Sequence, residues 1–200
     1  MTDQELLETN FFRYYHEKVG MSADEFLRLS PYFEFRDLAH SQYILRAGEV
    51  CKHFLFVEEG LLLFISLDEK GTEHILQFAP ENWLMADRSS MYFDEPSLYY
   101  IKAIEPSKVV FLHPNFFTEA AKIKFEFGMF TEKSLQRSIY YLQKRINSLL
   151  AMTAKERYLE FIELYPNLLL RVPQWMIASY LGITPESLSR VRREIAKDSF

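Results

Sequence analysis

The sequence predicts an α+β protein in which helices flank a central block of short antiparallel strands. Apolar residues recur at helical spacing up to about residue 38 and again from about Pro114. Between His40 and His113, short apolar runs alternate with turn residues at close, regular intervals. Near the C-terminus a tight turn separates two further helical segments. With 200 residues, of which 48% are apolar, the chain can bury a sizeable core.

The N-terminal region is predicted to be helical up to about residue 38. Its first helical stretch carries apolar residues at Leu6, Leu7, Phe11, Phe12 and Tyr15. A second helix is predicted to begin at Ser22. There Ser22 and Glu25 form a capping box, which satisfies backbone amides of the first turn.

The central region is predicted to form a compact antiparallel barrel or sandwich. Gly48, Gly60 and Gly71 stand where turns require a positive φ. Residues 82–96 interrupt the strands and are predicted to form a loop or a short helix. The predicted strand runs are Gln42–Leu45, His53–Val57, Leu61–Leu67, Glu73–Phe78, Leu98–Ile104 and Lys108–Leu112.

From about Pro114 the chain is predicted to be helical, and one stretch of it carries an apolar seam. The seam residues recur at spacings of 4, 3, 4 and 3 and are Leu135, Ile139, Leu142, Ile146 and Leu149. Such a seam fits a helix packed on its own domain, and it equally fits one helix of a parallel dimer. About two heptads do not decide between these interpretations.

The C-terminal segment is predicted to be a small helical domain. Thr153 and Glu156 form another capping box at its start. Residues 174–181 and 185–195 are predicted helices, and the turn between them contains Gly182, which permits the left-handed conformation that ends a helix. This pattern is typical of a helix-turn-helix.

The outward face of the second helix carries residue types that bind base edges and phosphates. Arginine bonds bidentately to guanine, glutamate accepts from the cytosine amino group, and serine hydroxyls reach either bases or phosphates. The N-terminal part of such a helix enters the major groove. The predicted DNA-binding residues are Thr184 at the N-cap and Glu186, Ser187, Ser189, Arg190 and Arg193. The alternative is a helical hairpin used for protein contacts.

The segment Leu181–Arg190 resembles the recognition element of the CRP/FNR family of bacterial transcription regulators. Arg46–Glu49 with Phe56–Gly60 resembles the β-roll of that family's cyclic-nucleotide-binding domain, and Glu73–Phe78 resembles its next strand. The resemblance covers nearly the whole chain. It implies an antiparallel β-roll, or double-stranded β-helix, with flanking helices over residues 1–126. A dimerisation helix over 127–152 and a helix-turn-helix domain over 153–200 would follow.

The same resemblance implies what the protein does and with what. The seam falls where the family keeps its dimer helix, which favours the dimer interpretation. A cytoplasmic homodimer is expected to bind a palindromic site in double-stranded DNA and to regulate transcription, with RNA polymerase as a further partner. The competing class is a ligand-binding or protein-interaction module whose helix-turn-helix no longer binds DNA.

The resemblance also places a nucleotide pocket, and its key residues differ in this chain. Members that bind cyclic AMP hold the ribose with a Gly-Glu pair and the phosphate with an Arg that precedes Ser or Thr. The aligned pairs here are Ala86–Asp87 and Ser97–Leu98, with Arg88 and Lys102 as the candidates for replacing the arginine. Loss of that arginine removes a charge-assisted contact worth about 1.5–3 kcal/mol. Cyclic AMP is therefore not expected as the effector, and an unknown small molecule stays open.

The sequence argues against cofactor chemistry and catalysis. Its one cysteine, Cys51, cannot alone form an internal disulfide or hold an iron–sulfur cluster, although a redox-sensing role for it stays open. A cupin-like enzyme would need paired histidines on adjacent strands, and His53 and His74 lack that spacing. We expect no catalytic residues, no metal site and no cofactor.

Neither a membrane span nor a secretory signal is predicted. No apolar run approaches the roughly 20 residues of a spanning helix, and Met1–Thr9 is acidic and polar. The use of one cysteine fits a reducing, cytoplasmic compartment. A net charge of −5 disfavours a generally basic surface, so contact with nucleic acid is expected from the C-terminal segment.

Overall fold

The computed structural model describes residues 1–198. The chain divides into two compact units. The first comprises Met1–Leu67 and Leu76–Leu135, and the second comprises Asp68–Ile75 and the chain from Gln136 onward. The domain boundaries predicted at residues 126 and 152 stay predictions.

Helices precede and follow a block of short strands, so the predicted α+β class is confirmed. The helices are α1 Asp3–Leu7, α2 Asn10–Val19, α3 Ala23–Leu27, α4 Arg88–Phe93, α5 Asn115–Ile123, α6 Phe125–Ala151, α7 Ala154–Leu164, α8 Gln174–Leu181 and α9 Pro185–Asp198. The strands are β1 Phe33–Leu38, β2 Tyr43–Leu45, β3 Phe54–Glu59, β4 Leu62–Leu67, β5 Glu73–Ala79, β6 Leu84–Met85, β7 Tyr100–Ala103 and β8 Ser107–Leu112. Short 3₁₀ turns cover Ser30–Tyr32 and Leu168–Leu170.

The strands form two four-stranded sheets, with the orders β1-β8-β3-β6 and β2-β7-β4-β5. In the first sheet β8 pairs antiparallel with both neighbours, and Val110 lies opposite Phe35 on one side and Phe56 on the other. In the second sheet β7 pairs antiparallel with β2 and β4. Each of the predicted strand runs overlaps one of these strands, and β3, β5 and β8 extend beyond the predicted bounds. The loop or short helix predicted over 82–96 contains α4.

The sequence does not predict β1 or β6. The helical prediction up to about residue 38 is wrong over Phe33–Leu38, which pairs with β8. The segment from Phe33 to Arg36 alternates aromatic and charged residues, and this period of two marks a strand. Because this segment directly follows helical residues, the helical pattern was extended over it. The two residues of β6 are too few to give a periodic signal.

The core of the first unit is built around Phe11 of α2. Its ring is fully buried, and the ring centroids of Phe26 and Phe56 lie 5.4 and 5.0 Å away. Glu58 at the end of β3 fixes the start of the helix, since its buried carboxylate accepts the amides of Asn10 at 2.6 Å and Phe11 at 2.9 Å. These contacts hold α2 against β3.

The second unit contains the C-terminal helices. The predicted capping box of α7 is present, with the amide of Glu156 donating to the Thr153 hydroxyl at 3.3 Å. The rings of Phe161, Tyr165 and Tyr180 lie 5.3 to 5.7 Å apart and link α7 to α8. These ring contacts therefore pack α8 against α7.

The turn between β4 and β5 belongs to this second unit. Ser179 of α8 donates its hydroxyl to the carbonyl of Glu73 and accepts the amide of Ile75, both at 3.1 Å. Inside the turn, the amide of Thr72 donates to Asp68 at 2.9 Å and holds the pKa of that carboxyl below its usual value. The Asp68–Ile75 segment thus folds together with α8.

Candidate nucleic-acid interface and ligand cassette

The helices α8 and α9 occupy the two helical stretches predicted for the helix-turn-helix. Gly182 ends α8 with a left-handed φ of 65°. The amide of Ile183 bonds back to the carbonyl of Ala178 at 3.0 Å, which satisfies one of the last carbonyls of the helix. The sharp turn that this geometry produces sets the direction of α9.

The start of α9 is fixed by a hydroxyl cap. The amide of Ser187 donates to the Thr184 hydroxyl at 3.2 Å, and the two hydroxyls are also hydrogen-bonded to each other at 3.2 Å. Pro185 occupies the first helical position, where a missing amide costs nothing. Thr184 and Ser187, both predicted to bind DNA, are therefore placed in the cap of the helix.

The other predicted DNA-binding residues share one exposed face of α9. The opposite face is buried, with Leu188 fully enclosed and Val191 only 7% exposed. The open face forms one shallow depression, lined by Pro185, Glu186, Ser189, Arg190 and Arg193. One side of α9 therefore packs against the rest of the unit, and the other side is exposed to solvent.

The charges on this face are available to a ligand. A hydrogen bond from its own backbone amide, followed by one from the Thr184 hydroxyl, holds the pKa of Glu186 below its usual value, so the side chain is an ionised acceptor. The Arg193 Nε donates to the Ser189 carbonyl over a long 3.4 Å, which leaves its terminal nitrogens to solvent. Within residues 1–198, Arg190 forms no ion pair.

The predicted seam of α6 lies on the surface of its own chain. The exposed fractions are 39% for Leu135, 43% for Ile139, 64% for Leu142, 59% for Ile146 and 42% for Leu149. None of the five belongs to the buried clusters of the first unit. An apolar seam left open in this way favours the dimer interpretation over packing on its own domain.

The five residues predicted for the nucleotide pocket, Ala86–Arg88 and Ser97–Leu98, are called the ligand cassette. The structure brings two of them, Asp87 and Ser97, into contact with each other. Both are 3% exposed. One Asp87 oxygen accepts the Ser97 hydroxyl at 2.7 Å. The other accepts the Ser89 hydroxyl at 2.9 Å and the Ser90 amide at 3.2 Å, at the start of α4. The buried carboxylate is therefore satisfied by donors from the chain itself.

The other three predicted cassette residues lie elsewhere. Ala86 packs against the core clusters. The Arg88 guanidinium lies over the Phe54 ring, 5.2 Å from its centroid, and Leu98 is 76% exposed. In the described part of the chain, Arg88 makes no hydrogen bond to the Asp87 carboxylate. Arg88 therefore lies against Phe54 and takes no part in the hydrogen-bond network around Asp87.

Sequence reasoning missed Ser90 at the centre of this network. Its hydroxyl is buried, donates to the carbonyl of Glu95 at 2.6 Å and accepts the amide of Cys51 at 2.9 Å. The available signal was the spacing from Asp87, an N-cap residue, to the third position of a helix. Ser90 thereby connects the cassette to the segment between β2 and β3 that carries Cys51.

Replacing Asp87 by alanine is expected to lower the free energy of unfolding by about 3 kcal/mol, because buried donors lose a charged acceptor. The loss is measured as a shift in the midpoint of urea denaturation. Glu95→Ala is the matched control, since it removes an exposed carboxylate from the segment that directly follows α4, and its midpoint should stay near that of the unaltered protein. An unchanged midpoint for Asp87→Ala would contradict a structural role for the network.

Cys51 lies in a poor environment for a redox sensor. Cys51 as a residue is 5% exposed, and its Sγ–H donates to the carbonyl of His53 at 3.5 Å. Burial raises the pKa of Cys51. A protonated, buried thiol reacts slowly, since the thiolate is the nucleophile.

A thiol reagent such as DTNB is therefore expected to label native Cys51 at least about a hundredfold more slowly than the urea-unfolded chain, because labelling requires local opening. Absorbance at the released chromophore gives both rates from one sample. Comparable rates in the two states would restore the redox-sensing hypothesis.

Over the described residues, no three His, Cys, Asp or Glu side chains are grouped so that they could hold a metal ion. His74 pairs with Asp68 at 3.3 Å, while the His53 ring lies 5.7 Å from that of Phe111. Over the same residues, no helix combines the length and apolarity needed to cross a membrane.

Comparison with known proteins gives the family context. Residues 35–123 match the family model of the cyclic nucleotide-binding domain. The chain is similar to FixK2 from Bradyrhizobium japonicum, with a TM-score of 0.70, 17% identity and coverage of 84% of this chain and 86% of that one. The chain has the fold of the CRP/FNR family.

Two further structures of the CRP/FNR fold are similar to this chain. One is the c-di-GMP-responsive regulator CLP of Xanthomonas campestris, with a TM-score of 0.66, 13% identity and coverage of 89% and 93%. The other is the Thermus thermophilus catabolite activator protein, with a TM-score of 0.55, 16% identity and coverage of 93% and 87%. No curated protein matches the chain by sequence. The resemblance inferred from Leu181–Arg190 and from the β-roll segments is confirmed for the CRP/FNR fold.

Proposed function

We propose that the protein is a sequence-specific DNA-binding transcription regulator and not an enzyme. The observation that carries this proposal is the exposed face of α9, where Glu186, Ser189, Arg190 and Arg193 lie together on a helix whose opposite face is buried. Such a helix can enter the major groove without losing its own packing. Arginine and glutamate then read guanine and cytosine edges, so a C·G or G·C pair is expected within each half-site.

The protein is further proposed to act as a homodimer on a palindromic site. The exposed seam of α6 supports this, because apolar residues at heptad spacing bury that surface when two such helices pair. A two-fold dimer would place its recognition helices in successive major grooves, about 34–36 Å apart. Contact with RNA polymerase at the promoter is part of the same proposal.

DNA binding is proposed to need no cyclic AMP. In the cassette, the buried Asp87 carboxylate already takes the donors of Ser89, Ser90 and Ser97. A cyclic phosphate would bring a second negative charge toward this carboxylate without the arginine that usually balances it, and like charges at short range repel strongly in a buried setting.

The test is fluorescence anisotropy of promoter fragments from the protein's own gene, titrated at two salt concentrations with and without cyclic AMP. Tight, salt-sensitive binding without the nucleotide is expected, because phosphate contacts release counterions. Binding only with cyclic AMP would overturn the proposal on the cassette. Absence of binding to any fragment in a genome-wide selected pool would leave the protein-interaction module as the function.

A further inference from the structure

The C-terminal part of α6 holds the helix-turn-helix through Arg145. Its guanidinium carbon lies 3.6 Å from the centroid of the Tyr180 ring, and a terminal nitrogen donates to the Tyr180 carbonyl. The last carbonyls of a helix have no partner within it, and a cation there interacts favourably with the helix dipole. Arg145 therefore caps α8 and stacks on its buried ring at the same time.

Three further residues near Arg145 on α6 also contact the C-terminal helices or the turn between them. Glu160 of α7 uses one oxygen for Lys144 at 3.0 Å and the other for the buried Ser148 hydroxyl at 2.9 Å. A Leu149 methyl carbon lies 3.4 Å from where a Cβ would stand at Gly182, in the turn of the helix pair. Within the second unit, the end of α6 thus contacts α7, α8 and the turn before α9.

Lys144 and Ser148 lie on a different face of α6 from the centre of the predicted dimer seam, whereas Leu149 belongs both to the seam and to the contact with the turn at Gly182. At about 100° per residue, Lys144 and Ser148 lie roughly opposite the side that carries Leu142 and Ile146. The seam residues are exposed, with Leu142 at 64% and Ile146 at 59%. One helix can therefore pair with a second copy on one face while it holds the DNA-reading helices on another.

We infer that Arg145 is a positioning residue that sets the half-site spacing read by the dimer. The inference rests on the proposed function. If α6 pairs through its seam, the separation of the two α9 helices follows from the angle at which each helix pair sits on α6. Arg145 fixes that angle, because its planar group is clamped between the Tyr180 ring and the Tyr180 carbonyl.

The DNA test compares palindromes with the preferred half-site separation and with one base pair more or less. The unaltered protein is expected to prefer the best spacing by about tenfold or more, and Arg145→Ala to reduce that preference to about threefold or less. A ratio of affinities on two DNAs cancels any loss of active protein. Arg145→Lys, which keeps the charge without the planar stack, is expected to restore the preference only in part.

The matched control is Arg137→Ala, the same change at an exposed position of α6. It should keep the full spacing preference. If Arg145→Ala keeps that preference too, the positioning role is overturned.

A second measurement needs no DNA and separates failure of this inference from failure of the proposed function. Spin labels at Gln143 on α6 and Ala196 on α9, both exposed, are placed on one copy in a Cys51→Ala background. Arg145→Ala is expected to broaden their distance distribution, whereas Arg137→Ala leaves it narrow. A narrow distribution in Arg145→Ala overturns the positioning role, even if DNA binding itself is established. If the distance distribution broadens in Arg145→Ala but the unaltered protein binds no DNA, the proposed function is wrong. The role of Arg145 in holding the helices would still stand.

Discussion

Replacing Arg190 by alanine is expected to lower the affinity of the protein for the proposed palindromic site by about a thousandfold. Each copy would lose one bidentate contact to a base pair, worth about 1–3 kcal/mol, and the dimer would lose two such contacts. Every 1.4 kcal/mol corresponds to about a tenfold change in affinity. Fluorescence anisotropy with the selected site and with a scrambled sequence measures the loss. The scrambled sequence should show a far smaller effect, because base contacts carry the specificity.

The matched control is Arg192→Ala on the same helix. Arg192 is exposed but is not among the residues that line the open face of α9. Its removal is therefore expected to change affinity by no more than about threefold, through long-range charge alone. Equal losses for Arg190→Ala and Arg192→Ala would mean that net charge, and not the arrangement of this face, accounts for binding.

Replacing Ile146 by glutamate is expected to convert the proposed dimer into a monomer. The side chain is 59% exposed in the single chain, so the fold should tolerate the charge. In a paired seam, two carboxylates would be buried side by side without partners, at a cost of several kcal/mol each. Sedimentation velocity measures the mass. Affinity for the palindrome should fall by at least about a hundredfold, because linked binding of two half-sites is lost.

Asn147→Glu is the control for this change. It adds the same charge one residue further along, at an exposed position outside the heptad seam. The dimer should persist at the concentrations where Ile146→Glu is monomeric. A dimer that survives Ile146→Glu as well would place the contact between copies somewhere other than α6.

The parts of the molecule that could be predicted from sequence are those with local signals. The helix pair is one, because a cap hydroxyl at Thr184, a proline at the next position and a left-handed glycine at 182 each act within a few residues. The seam of α6 is another, since heptad spacing is visible along one helix. The closely spaced strands of the first unit were recognisable for the same reason.

The parts that could not be predicted depend on residues distant in sequence. The Ser97 hydroxyl meets Asp87 across ten positions, Arg145 meets Tyr180 across 35, and Ser179 meets Glu73 across 106. No periodic pattern encodes such pairs, because the fold as a whole decides which side chains become neighbours. The resemblance to the family predicted the cassette positions, but the closed network around Asp87 depends on where α4 begins.

The short turn that folds with α8 limits how far the helix pair α8–α9 can be treated as a transferable module. A fragment that begins at Gln136 would leave behind Asp68–Ile75, which belong to the same compact unit. The Ser179 hydroxyl would then lose both the Glu73 carbonyl and the Ile75 amide. A chimaera that grafts this helix pair onto another sensor must therefore match the recipient's strand-connecting turn as well as the junction in α6.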